Sequence, residues 1–330
     1  MMKLILIVFL TGFIHLSLVA QTDLGQLFSE PAEAGREPVT AIFKSPWLIN
    51  SQSVETVHKH DLMFTVMHRF GDLAGRNGGT ETFFGLDNST DILIGFTYGL
   101  TDRFNVGLGR AKGAPNGVNT DHSQLFYVNT KYRLLQQTTD GHTPFSLAFF
   151  GNSAISAMKN RPVVTSDAAF DGAGDRLSFV AQLIIARKFS ENLSVAISPT
   201  YIRRNYVSYM DVNNLFALGI GGRLKVSKRM AVVVDYAISF RKEDSKDYFR
   251  AEKDFRFYNP LGVGLEIETG GHVFNMSFTN TTATLENQFI PSTSSSWTKG
   301  QFRWGFTITR TFSLAGNESE QVGEKLFRNR

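Results

Sequence analysis

The chain contains no cysteine, which removes disulfides, thiolate metal sites and a lipidated N-terminal cysteine together. Beyond its first twenty residues it also lacks any apolar run long enough to cross a bilayer as a helix. Charge of one sign is scarce. The 34 basic and 30 acidic residues leave a formal net charge of +4, too small and too scattered for a nucleic-acid partner. Segments with apolar residues at helical spacing are rare. A helical membrane protein and a nucleic-acid binder are thereby excluded.

The first twenty residues stand apart. Lys3 gives a short positive start, Leu4 to Leu18 an apolar core, and Leu18-Val19-Ala20 a small-residue end before the polar Gln21-Thr22-Asp23. That order reads as a secretory signal peptide cleaved near Ala20.

What remains is rich in Phe and Gly, 29 of each in the whole chain, and is dominated by alternation with period two. Twelve strands are predicted, at 62–70, 89–99, 103–110, 122–136, 144–157, 176–189, 193–205, 213–226, 230–240, 257–269, 272–280 and 301–312. In 230–240, Met230, Val232, Val234, Tyr236, Ile238 and Phe240 share one face, and Ala231, Val233, Asp235, Ala237 and Ser239 the other. Turn lengths check this parity, because residues opposed in a hairpin point to the same side. Three-residue turns at 100–102, 190–192 and 227–229 set Tyr98 against Phe104, Phe189 against Leu193 and Val226 against Met230. Gly270-Gly271 makes a two-residue hairpin that keeps Ile267 and Phe274 on one side. All four pairs are apolar.

Connections alternate between short ones and long ones, the latter at 71–88, 111–121, 158–175, 206–212, 241–256 and 281–300. The apolar face has vertical order as well. Val66, Ile94, Val128, Leu183, Ile220 and Val234 fill its middle, while Phe70, Phe126, Tyr201, Phe216, Phe278 and Trp304 lie toward the long loops. Tyr98, Phe104, Tyr132, Phe145, Phe189 and Phe312 lie toward the short turns. An aliphatic band between aromatic girdles, with long loops at one end, describes an all-β, transmembrane, antiparallel up-and-down β-barrel of about twelve strands. A soluble barrel or sandwich explains neither the girdles nor the loops. The expected location is the outer membrane of a Gram-negative bacterium, with short turns in the periplasm.

The opposite face reads as small and polar, with charges that lipid would not tolerate. It carries Arg69, Arg103, Lys131, Arg133, Arg223, Lys225 and Arg303 against Asp91, Asp235, Glu266 and Glu268, all lumen-lining candidates. Arg69 and Asp91 fall at similar height on neighbouring strands, placed to pair. Buried charges must be paired or hydrated, so these line either a watery lumen or a salt-bridged filling. Residues 21–57 form a leader, with Ala41-Ile42-Phe43 and Trp47-Leu48-Ile49 ahead of a polar stretch. It is expected either to plug the lumen or to extend the first strand below the membrane. The barrel spans 58–312, and the charged 313–330 is expected to be a disordered periplasmic tail.

Catalytic and metal sites are not expected. His58, His60, His68, His122, His142 and His272 show no metal-ligand spacing, and no nucleophile elbow is present. His122 beside Asp121 and Ser123, and His68 with Asp91 nearby, are the arrangements a hydrolase would have to use. Gly219-Ile220-Gly221-Gly222 and Gly107-Leu108-Gly109 lie inside strands rather than before helices, so they are not phosphate loops.

The segments Ser53-Val54-Glu55-Thr56, His68-Arg69-Phe70-Gly71, Phe84-Gly85-Leu86-Asp87, Tyr98-Gly99-Leu100-Thr101-Asp102-Arg103 and Lys131-Tyr132-Arg133-Leu134 are ordered motifs. With Gly305 to Phe312 they resemble a bacterial outer-membrane β-barrel family of unknown function, over roughly residues 40–312. The resemblance implies the barrel and carries no catalytic residues.

The first functional reading is a narrow, porin-like channel or binding barrel for small polar solutes, with the basic excess favouring anions. A barrel anchoring outer loops for adhesion or assembly is the alternative, and an outer-membrane hydrolase the third. Expected partners are outer-membrane lipid, the barrel assembly machinery and a small polar solute, with no cofactor.

Overall fold

The computed structural model describes residues 37–75, 77–113, 123–161, 166, 168–269 and 272–314. The expected signal peptide, His122, Gly270-Gly271 and the residues from 315 onward lie outside the described residues. Twelve strands follow in chain order: β1 (Asp61–Asp72), β2 (Ser89–Gly99), β3 (Phe104–Ala111), β4 (Leu125–Leu135), β5 (Ser146–Ser156) and β6 (Leu177–Lys188). They continue as β7 (Leu193–Arg204), β8 (Asn214–Lys225), β9 (Met230–Ser239), β10 (Leu261–Thr269), β11 (His272–Thr279) and β12 (Arg303–Ser313). Each strand pairs antiparallel with its sequence neighbour, and β12 returns to β1, so the sheet closes without an exposed edge.

The expected parity holds around the ring. Ile267 pairs with Phe274, and the backbone N–H groups of Phe189 and Val226 donate to Leu193 and Met230 across their turns. One pairing needs correction. Tyr98 faces Val106 rather than Phe104, because the three-residue turn sits one residue later, at 101–103, where the N–H of Leu100 donates to the carbonyl of Phe104. The shift of two residues leaves both side chains on the same face.

The outward face is exposed and apolar. Val128 is 60% exposed and Val234 39%, and no described residue covers either of them fully. Rings gather at both ends of this band. Phe278 lies 4.1 Å from Trp304 and Tyr201 5.1 Å from Phe216 toward the long loops, and Phe104 lies 6.1 Å from Tyr132 at the short turns. Two helices break the long loops, which the sequence reading left without structure: α1 (Glu243–Lys253) and α2 (Glu286–Ser292).

Candidate functional site

The barrel's interior is the site, and it is filled. The inward face is not only small and polar, as expected from sequence: Met67, Leu93, Leu125, Phe150, Ile184 and Ile202 also point inward and are fully buried. What covers them comes from both ends.

From the short-turn end, the leader enters beside Thr138, which forms an isolated bridge with Pro38. It then rises as a tight hairpin. Trp47 bridges Gln52, and the N–H of Leu48 donates to the carbonyl of Ser51 at 2.8 Å. Ile42, Phe43, Leu48, Ile49 and Val54 pack on Phe150, Ile184, Ala186 and Val233 of the wall. Wall glycines make room: a side chain at Gly221 would strike Leu48, and one at Gly262 would strike Ile49.

The hairpin's tip is held by ionic groups. Asp235 accepts from the backbone N–H of Ile49 (3.2 Å), Asn50 (2.6 Å) and Ser51 (2.9 Å), and from the Asn50 side chain (2.8 Å). Arg69 donates to the Ile49 carbonyl at 2.7 Å and to Asn50 Oδ1 at 3.2 Å. The Lys131 ammonium donates to three leader carbonyls, of Pro46, Ser53 and Glu55. A charged group that satisfies several backbone groups at once is how a non-repetitive segment survives burial.

From the long-loop end, the connection 280–302 folds inward and carries α2 into the barrel, so a loop expected outside contributes to the core. Ala283, Phe289 and Ile290 pack on Val180, Ile202, Leu215 and Ala217. Asp91 fixes the loop's start, accepting from the Thr284 N–H at 2.9 Å and its hydroxyl at 2.8 Å. The two fillings meet at mid-barrel, where Gln52 Nε2 donates to Glu286 Oε1 at 3.0 Å and Thr281 donates to Asn50 Oδ1 at 2.9 Å.

A family model described as "Membrane bound beta barrel domain (DUF5777)" matches residues 43–312. The chain belongs to that family. The match begins inside the hairpin, so the family unit takes in most of the lumen filling as well as the wall. No curated protein matches the chain. Among solved structures it is similar to the COG4313 outer membrane channel from Pseudomonas putida F1, at 13% identity and a TM-score of 0.45, covering 78% of this chain and 98% of that one. It is also similar to the KdgM porin, at 8% identity and a TM-score of 0.43, covering 76% and 99%. A third is the Acinetobacter baumannii outer membrane protein Omp33, at 8% and 0.36, covering 77% and 99%.

The remaining lumen candidates of this membrane barrel divide. Arg223 pairs with Glu266 at 2.8 Å within the wall, and Arg303 with Asp72 at 2.6 Å. Glu268 pairs with Lys44 of the leader at 3.1 Å, and Arg133 lies 3.9 Å from Glu55. Arg103 does not line the lumen: it is exposed on the short turn ahead of β3, where the chain has left the pleat. Lys225 is half-exposed at the same end. The anticipated Arg69–Asp91 pair is replaced by the separate contacts described above. His68 points outward, stacked on Phe306 at 5.5 Å, so it cannot act with the inward Asp91. No group of metal-ligating side chains occurs among the described residues.

Three residues escaped the sequence reading. Asp211 sits between Arg204, at 3.0 Å, and Arg241, buried beneath the long loops. Arg241 also donates to the Pro291 carbonyl at 2.6 Å and so ties α2 to its neighbours. At the opposite end a cavity of about 340 Å³ opens between leader and wall, lined by Lys44, Glu55, His58, Arg133 and Thr309. There the Lys59 backbone N–H holds the Asp102 carboxyl below the usual carboxylate range, with His58 adding to the effect.

Proposed function

We propose that the protein is an outer-membrane barrel closed at rest, which passes small polar solutes when its N-terminal hairpin leaves the lumen. One observation carries the reading. Beneath the filling, the wall keeps polar residues that a permanent core does not require, among them Thr65, Asn105, Asn129, Gln182, Asn275 and Thr307. With the hairpin out, such a wall is wettable. The orientation, with short turns in the periplasm, rests on the loop lengths and the export signal. Little preference for anions is expected, because Asp72 at the end of β1 and Glu286 on α2, which stay behind when the hairpin leaves, offset part of the basic excess.

The test is conductance in planar bilayers. The intact barrel should be nearly silent, and a 41–57 deletion should conduct while still fractionating with the outer membrane and shifting on gels when boiled. A second reading, a solid barrel that anchors its outer loops, is favoured by the three apolar clusters inside. Silence of both proteins would select it.

A further inference from the structure

The connection between β9 and β10 carries a pocket that the closed channel does not use. Helix α1 turns Lys246 and Arg250 to one side, four residues apart, and Arg256 returns beside them on the chain leading to β10. With Phe257 and Tyr258 they line a cavity of about 260 Å³. No carboxylate lines it. Lys246 and Arg250 each hold a solvent-exposed partner along the helix, Glu243 at 3.1 Å and Asp247 at 3.2 Å. Such exposed pairs are weak and exchangeable. Arg256 is exposed and makes none of the ion pairs among the described residues.

The frame around these cations is rigid. The buried Phe249 of α1 packs edge-on against Phe257 at 5.3 Å and Phe255 at 6.2 Å, which fixes the helix to the returning chain. Phe257 in turn lies 3.8 Å below the guanidinium of Arg241, itself locked by Asp211. The N–H of Tyr258 donates to the Thr293 carbonyl at 2.9 Å. The three cations therefore converge on a shaped cavity built over the barrel's own core.

We propose that this pocket binds a phosphate-bearing anion, either the phosphorylated saccharide headgroup of a membrane lipid or a free phosphate. Two guanidinium forks and an ammonium suit phosphate oxygens, and the aromatic floor suits a sugar face. The placement on the outer side rests on the orientation proposed above; the binding chemistry does not.

The experiment uses the full chain in detergent and in nanodiscs at low salt. Inorganic pyrophosphate is titrated calorimetrically, and discs containing bisphosphorylated lipid A are compared with discs of its dephosphorylated form. The variant carries Lys246→Gln, Arg250→Gln and Arg256→Gln. A control removes three exposed charges from the short turns, with Arg103→Gln, Lys228→Gln and Arg229→Gln. The triple variant should lose on the order of tenfold or more in affinity, and the control should not. Preference for lipid A discs assigns the headgroup, and binding of pyrophosphate alone assigns a free solute. Binding of neither probe, or equal weakening in variant and control, overturns the proposal. Protease access to α1 on whole cells tests the orientation separately.

Discussion

Arg69 and Asp91 face each other across β1 and β2, both fully buried, and turn away to opposite partners. Arg69 holds the N-terminal hairpin at Ile49 and Asn50, while Asp91 holds the inward loop at Thr284 and the next loop at Gly113. A wall pair has become two separate anchors, one for each half of the filling. Asp91→Asn removes the charge from the second anchor and at least one acceptor. It should loosen the 280–302 loop by about 1.5–3 kcal/mol, the worth of a hydrogen bond to a charged group. Faster proteolysis within that loop, with the barrel intact, is the expected result; wild-type resistance would refute the anchor.

Val233 and Val234 test what each face meets. Val234→Arg puts a charge mid-band in lipid and should cost roughly 2–4 kcal/mol. From sequence, Val233 is on the lumen side and an Arg there should be milder if the lumen is wet. The structure reverses that expectation: Val233 is fully buried against the hairpin's apolar residues, so Arg is overpacked and desolvated. Deleting 41–57 should relieve the Val233→Arg cost and leave that of Val234→Arg unchanged, as read by urea unfolding in detergent. Equal costs in both backgrounds would show that the hairpin does not cover Val233.

Much of the wall was legible because lipid imposes a strict alternation, and turn lengths report the parity independently. The filling was less so. Trp47-Leu48-Ile49 announces a segment that packs on something, but nothing local says how far it rises. Inward apolar residues were hidden by their neighbours: Phe149-Phe150 and Leu183-Ile184-Ile185 are continuous apolar runs, the mark of strands covered on both faces. Leu285, Phe289 and Ile290 carry helical spacing in a loop that length alone assigned to the outside. Arg103 was misplaced because parity was extended one residue past the strand's end.

Asp211 fixes the long-loop end by standing between Arg204 and Arg241. Asp211→Asn leaves two buried guanidinium groups without their carboxylate, a loss that typically costs about 3–5 kcal/mol. The loop carrying α1 should become protease-sensitive while the boiled-versus-unboiled gel shift persists. Replacing Arg204 and Arg241 by Met in the same chain should recover much of the loss, because no unpaired charge is then left. A failure to recover would place the effect in the loop hydrogen bonds to Pro291 and Val212.

The proposed gating step can be tested by a covalent lock. A side-chain carbon at Gly262 would stand 2.7 Å from Ile49 Cγ2, which places the two β-carbons within reach of a disulfide. Because the chain has no cysteine of its own, Ile49→Cys with Gly262→Cys creates a single, unambiguous pair. If the hairpin opens as its own unit, urea below the barrel's unfolding range should raise bilayer conductance for the reduced double variant. The oxidised form should stay silent at the same urea, since its tip remains tied to β10. Reductant added to the oxidised form should then restore conductance on the bench-top timescale. If both forms stay silent until the whole barrel unfolds in one transition, hairpin and wall are one cooperative unit. The closed-channel reading then fails, and the barrel is a solid anchor for its loops.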